Sequence, residues 1–162
     1  MRFNYSAFRA IYLHEMDRFK RTLMQSLLSP VLSTSLYFIV FGSVIGGYVE
    51  KIDGISYGSY IVPGLLMLTL LTQSITNTSF GIFFPKFNGT IYEILAAPIS
   101  TLEIVLAFVG AGATKTLIVG VVIFITANFF VEVDVKYPLL VVFLLMLVAF
   151  TFALFGFLIG LM

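Results

Sequence analysis

Apolar residues in this chain come in long unbroken runs rather than in the short alternations of a soluble fold. No charged residue interrupts the stretch between Arg21 and Glu50 or the one between Asp53 and Lys86, and none follows Lys136. Between Glu103 and Glu132 the interruption is a single residue, Lys115. About 20 predominantly apolar residues cross a hydrocarbon core ~30 Å thick as a helix, so each run holds one membrane span with interfacial turns to spare. The expected spans are 22–49, 58–85, 101–131 and 137–162. Ahead of the first, Tyr5, Phe8, Tyr12, Met16, Phe19 and Leu23 recur at spacings of three and four, which is one stripe of a helix. Ala10, His14, Asp17, Arg18 and Arg21 fall on the other side. Residues 1–21 therefore read as an amphipathic helix in the cytoplasmic membrane interface, its basic face suited to an anionic leaflet; the alternative is a soluble helix packed on another domain. Ser29-Pro30 is expected to mark the entry into the membrane. The fold class is all-α: a polytopic transmembrane helical bundle of four spans preceded by an amphipathic interfacial helix.

Composition narrows the function classes. Of 162 residues 60% are hydrophobic and 10% charged, against the ~25% charged of an ordinary soluble domain. An aromatic content of 16%, with 18 Phe, excludes a disordered chain. A net charge of +1 supplies no field to attract nucleic acid, and no nucleic-acid partner is expected. With no Cys there is no thiol nucleophile, disulfide or Cys-based metal site. The lone His14 belongs to a polar helix face, and neither H-E-x-x-H, G-x-S-x-G nor a Walker lysine loop occurs. No catalytic or metal-binding residue is assigned, and the chain is not expected to be an enzyme. Local charge does set orientation. Arg2, Arg9, Arg18, Lys20, Arg21 and Lys86 fall on one side of the spans and Lys51 and Lys136 on the other, so the N-terminus and residues 86–103 are expected in the cytoplasm. The first apolar run begins too late and runs too long for a cleavable signal peptide.

The loop after the second span carries two S/T-x-x-E patterns, Thr90-Ile-Tyr-Glu93 and Ser100-Thr-Leu-Glu103, each the signature of a capping box. The first, after Asn88-Gly89, predicts a short helix over Ile91, Tyr92, Ile94, Leu95 and Ala96 that Pro98 stops by disfavouring helix at Ala97. The second opens the third span. From so short a helix Ile91, Ile94 and Leu95 cannot all face the membrane, so some must fill a groove, with Tyr92 and Glu93 at its rim. Within the spans, Thr69, Thr72, Gln73, Thr76 and Asn77 share a face of one helix and either line a path or bond to neighbouring helices. Lys115 lies ~22 Å along its helix from Ser100, where a charge costs several kcal/mol unless it snorkels or is paired. No carboxylate is expected at matching depth, which leaves a pore-facing or subunit-contacting cation, or a lysine bonded to carbonyls. Gly42-x-x-x-Gly46, Gly156-x-x-x-Gly160 and the face Gly112, Thr116, Gly120 permit close helix approach.

The order of these features resembles the ABC-2 type permease family. The residues that carry the likeness are the amphipathic helix with Arg18-Phe-Lys-Arg21, the run from Ser29-Pro30 to Leu36-Tyr-Phe-Ile-Val-Phe-Gly42, and Tyr60-Ile-Val-Pro-Gly64. The most specific is Gly89-Thr-Ile-Tyr-Glu-Ile-Leu-Ala-Ala-Pro-Ile-Ser100-Thr-Leu-Glu-Ile104. The resemblance implies the membrane half of an ATP-binding cassette exporter. It implies a separate ATPase subunit that binds ATP with Mg, a second permease subunit in a homodimer, surrounding membrane lipids, and no cofactor bound directly. Residues 5–21 would be the elbow helix and 22–162 the transmembrane domain. The loop 86–100 would hold the coupling helix, with Thr90, Ile91, Tyr92, Glu93, Ile94 and Leu95 contacting the ATPase. Candidates for the translocation path are Lys115, Gln73, Asn77, Thr69 and Thr76, for export of a drug, lipid or glycan across a bacterial inner membrane. Members of the family typically have six spans, so four spans imply a fragment of a longer permease. The alternative from another class is a channel or membrane scaffold without an ATPase, which would need no helix at 90–97.

Topology is open to direct test. In the full-length protein, cysteines introduced at Asp53 and Asp134 should react with an impermeant thiol reagent added outside, and one at Asn88 should not; external labelling of Asn88 would reverse the orientation.

Overall fold

The computed structural model describes residues 4–45, 51–52, 55–131 and 135–162. Gly46, Asp53 and Asp134, on which sequence expectations fall, lie outside the described residues. The order of elements is α1 (Tyr5–Arg21), α2 (Leu23–Tyr37) continued by a π-helical stretch Phe38–Ile45, a hairpin of β1 (Lys51–Ile52) and β2 (Ile55–Ser56), α3 (Tyr57–Phe87), α4 (Ile91–Ala96), α5 (Thr101–Phe130) and α6 (Pro138–Leu161). Among the described residues, four helices are long and apolar enough to cross a membrane: Leu23–Phe41, α3, α5 and α6. The connection before α3 is not wholly irregular, since Lys51 pairs with Ser56 and Ile52 with Ile55 in antiparallel register.

Two local expectations are corrected. The chain breaks between α1 and α2 at Thr22, with φ −104° and ψ 15°, whose hydroxyl and N–H both turn back to the Arg18 and Phe19 carbonyls. Pro30 does not break the helix; it sits buried inside α2. The second correction concerns the stripe on α1, which is only partly turned to lipid. Phe19 is buried against Val119 and Ile123, with Met16 and Leu27 packed beside them, and the Tyr12 hydroxyl donates to Thr114 Oγ1 at 3.0 Å. Near its start the Asn4 N–H donates to Glu103 Oε1 at 2.6 Å. Partner numbers on the two helices rise together, so α1 follows α5 lengthwise. Tyr12, Met16 and Phe19 are spent on protein, while Tyr5 and Leu13 are exposed along with Arg9, His14, Asp17, Lys20 and Arg21.

The helix α5 is the post of the bundle, touching α1, α2, α3 and α6. It starts at a complete capping box: Glu103 N–H donates to Ser100 Oγ at 3.4 Å and Ser100 N–H donates to Glu103 Oε2 at 2.9 Å. The core around it joins Ile82, Ile104, Phe108, Val109, Ala113, Ala149, Ala153 and Phe157.

Small residues set how closely the helices approach. In lipid no hydrophobic force draws apolar helices together, so backbone proximity and hydrogen bonds must do it. The α6 column Ala149, Ala153, Gly156 and Gly160 is buried. Ser74 of α3 donates to the Ala149 carbonyl at 2.6 Å. A methyl group at Gly156 would stand 2.5 Å from the Ile75 carbonyl oxygen, and one at Gly160 2.6 Å from that of Ser79. Gly112 and Gly120 of α5 likewise lie against Thr78 and Leu70 of α3. The Lys86 ammonium of α3 donates to the Leu161 carbonyl of α6.

Gly156→Ala should therefore destabilise the full-length protein by ~1–3 kcal/mol, the cost of overpacking, read as a lower melting temperature in detergent. Gly64→Ala, where the added methyl meets nothing within 4 Å, should leave it unchanged; equal melting of the two variants would show that α3 and α6 do not meet at these glycines.

Candidate coupling surface and polar groove

The helix α4 hangs between the ends of α3 and α5, and its two faces differ. Ile91 and Ile94 pack against the core cluster of Ile82, Ile104 and Phe108. Tyr92 is 73% exposed and Leu95 62%, with Glu93 and Ala96 exposed alongside. Of the three apolar residues that sequence spacing sends into a groove, two fill the protein's own core. Leu95 and Tyr92 are left facing outward.

The Thr90 capping box does not form. Thr90 is helical itself, with φ −65° and ψ −14°, and makes no side-chain cap; its hydroxyl instead donates to the Pro85 carbonyl at 3.4 Å. The turn into α4 is made by Gly89, whose φ of +79° is a conformation that residues with a Cβ rarely adopt. Once Gly89 has turned the chain, backbone N–H groups of Glu93 and Ile94 reach the Thr90 carbonyl, and no side-chain cap is needed to start the helix.

Lys115 has a partner within this chain. Its Nζ donates to Glu15 Oε2 at 2.7 Å, and Arg18 Nη2 approaches the same oxygen at 2.9 Å. Both Glu15 and Lys115 are buried, at 2% and 3% exposure. The carboxylate is admitted by Gly81 of α3, where a methyl group would stand 3.3 Å from Glu15 Oε2, so α1, α3 and α5 converge on one ion cluster. Sequence reasoning missed Glu15. The available signal was its place in the line Ile11, Glu15, Phe19, four residues apart, an acid in an otherwise apolar row.

The polar face of α3 forms a groove with α2. A space of about 210 Å³ is lined by Ser29, Ser33, Thr34 and Tyr37 from α2 and by Thr69, Thr72 and Gln73 from α3, among others. Of the sequence-predicted path residues, Thr69 and Gln73 line it. Asn77 extends the same face by donating to Gln73 Oε1 at 3.4 Å; Thr76 is exposed and, like Lys115, is not part of the lining. Thr69 and Thr72 donate to the carbonyls of Leu65 and Leu68 in their own helix, which leaves their lone pairs to the groove. Ser29, Ser33 and Thr34 make no side-chain hydrogen bond among the described residues. In hydrocarbon an unpaired hydroxyl costs ~4–8 kcal/mol, so this groove fits water or a polar ligand better than lipid tails. The α2 contribution was also missed; Ser29, Ser33 and Tyr37 recur every four residues.

Residues 6–162 match the ABC-2 type transporter family. The chain is 38% identical over 154 residues to the inner membrane transport permease YadH of Escherichia coli (strain K12), and to the proteins of the same name from Escherichia coli O157:H7 and Shigella flexneri. These alignments cover 95% of this chain and 60% of the relatives, so the chain spans about three fifths of their length. No solved structure matches.

Because the ion cluster accounts for Lys115, Lys115→Met should do more than impair transport. It leaves the buried Glu15 carboxylate with Arg18 as its remaining cation, and breaking a buried pair from one side costs up to ~3–5 kcal/mol. The full-length variant should lose most of its folded, monodisperse fraction, and Glu15→Met in the same chain should restore it. A Lys115→Met protein as stable as the parent would remove the cluster from the fold.

Proposed function

This chain belongs to the ABC-2 type transporter family, and from that premise we propose that it is part of the permease subunit of an ATP-driven exporter in a bacterial inner membrane. In this reading an ATPase subunit, carrying ATP and Mg, docks on α4, and two permease subunits pair to enclose the path. The carrying observation is the divided character of α4. Ile91 and Ile94 fix it to α3 and α5, while Tyr92 and Leu95 stand exposed. An aromatic ring and a leucine presented by a short rigid helix are the anchors that interfaces use, and a channel or scaffold has no need of them.

The polar groove between α2 and α3 supports the second half of the reading. Hydroxyls and an amide lying along two adjacent spans supply a surface on which a polar group can travel through a medium that otherwise rejects it. Gln73, Thr69 and Asn77 stay as path candidates, joined by Ser29, Ser33 and Thr34. Lys115 drops out, since its charge is spent on Glu15. The name of the relatives supports membrane transport without indicating cargo, and drugs, lipids and glycans all stay within reach of a groove of this kind.

The deciding experiment replaces Tyr92 and Leu95 by Asp together in the full-length permease. The protein should insert and fold as before, because both side chains are exposed, but co-purification of the ATPase should fall at least tenfold and transport should cease. Unchanged co-purification and transport would show that α4 is not the coupling element.

A further inference from the structure

Between α1 and α4 lies a cleft of about 290 Å³ walled by Ile11, Ile94 and Phe108 and edged by Glu15, Thr90 and Glu93, with Ala10 and His14 at its side. Glu15 Oε1 is buried and has no hydrogen-bond partner among the described residues, since Lys115 and Arg18 both reach the other oxygen. A buried carboxylate oxygen left unpaired is costly. It marks a place where a donor is missing. Thr90 gives its proton to Pro85, so it too offers lone pairs, and the Glu93 carboxylate at the rim accepts only. The cleft therefore presents acceptors over apolar walls, and one of them is already fixed in place by an ion pair.

We propose that this cleft receives an arginine side chain from the ATPase subunit, its guanidinium bonding Glu15 Oε1 and Glu93 and its plane lying against Phe108. This inference rests on the ATPase reading given above. The cleft is continuous with the proposed docking face, because Thr90, Glu93 and Ile94 belong to the same turn of chain as Tyr92 and Leu95. A guanidinium suits it better than an ammonium, since a planar fork reaches two separated acceptors at once and stacks on an aromatic ring. The inserted side chain would wedge α1 against α4, joining two cytoplasmic elements that otherwise meet across an open gap.

The test uses the full-length permease purified with its ATPase. The variant Glu15→Met with Lys115→Met removes Oε1 and the buried lysine together and frees only Arg18, whose side chain is already 33% exposed, so the permease should melt like the parent yet bind the ATPase about tenfold more weakly, as loss of a charge-assisted hydrogen bond requires. In a full-length permease whose other cysteines, if any, are replaced by Ser, Ala10→Cys supplies a unique handle at the cleft. A thiol-anchored photo-crosslinker there should capture an ATPase peptide containing an arginine. Replacing that arginine by Gln should weaken binding by the same factor and add nothing to the double variant. Parent-like binding by a well-folded double variant would overturn the proposal, and so would additive effects or an ATPase peptide without arginine. The same holds if the parent's activity depends on phosphatidylethanolamine in the vesicles and the double variant's does not, which would give the cleft to a lipid headgroup. The Tyr92→Asp, Leu95→Asp protein separates the two readings. If it loses the ATPase while the double variant keeps it, only the arginine pocket fails; if it keeps the ATPase, the coupling reading itself is lost.

Discussion

A lysine set part-way along a membrane helix must be neutralised, and the way Lys115 is neutralised decides where the first part of the chain lies. Its partner comes from α1, outside the four spans, so the helix that carries Glu15 is drawn along α5. The rest of that contact follows in register: Asn4 on Glu103, Tyr12 on Thr114, Phe19 on Val119 and Ile123. Each of these is modest. Together they make a helix with a charged outer face into part of the bundle. Two cations share one carboxylate oxygen, which over-determines the position of Glu15 and leaves its second oxygen unpaired.

The same economy governs the spans. Apolar side chains gain nothing by leaving lipid for one another, so α3 and α6 hold through what lipid cannot offer, a serine hydroxyl on a carbonyl and backbones in contact at Gly156 and Gly160. With α6 and α5 on two of its sides, α3 keeps a third free for Thr69 and Gln73. The packing glycines and the groove residues are thus two faces of one helix, and a change that loosened the first would move the second.

Much of this was legible in the sequence because hydrophobicity and capping are local. Long uncharged runs find the four apolar helices, and Ser100 with Glu103 forms the box that its spacing announces. What failed was whatever depended on which of several possible partners a residue takes, near or far along the chain. Lys115 looked unpartnered because Glu15 lies in a segment assigned to the membrane surface, a hundred residues away. Thr90 matched a capping motif as well as Ser100 does, yet Gly89 had already turned the chain and the Thr90 hydroxyl found Pro85. Pro30 carried the signal of a break, but a proline within a membrane helix is tolerated when neighbouring groups satisfy the backbone it frees, and the break fell at Thr22.

For a motion at α4 to reach the groove it needs a stiff path, and the structure supplies one. Ile91 and Ile94 lock α4 into the cluster that contains Ile82 of α3 and Ile104 and Phe108 of α5, so displacing α4 must shift the ends of both helices together. The helix α3 then runs unbroken from Phe87 to Tyr57, passing Gln73 and Thr69 on the way. Its opposite side is pinned to α6 by contacts with no slack, which makes tilting about the α6 column easier than bending. A tilt of that kind would widen or narrow the space between α3 and α2, where Ser29, Ser33 and Thr34 await partners. The ion cluster at Glu15 joins α1 to α5 at the same end, so α1 would follow the movement of α5 rather than resist it.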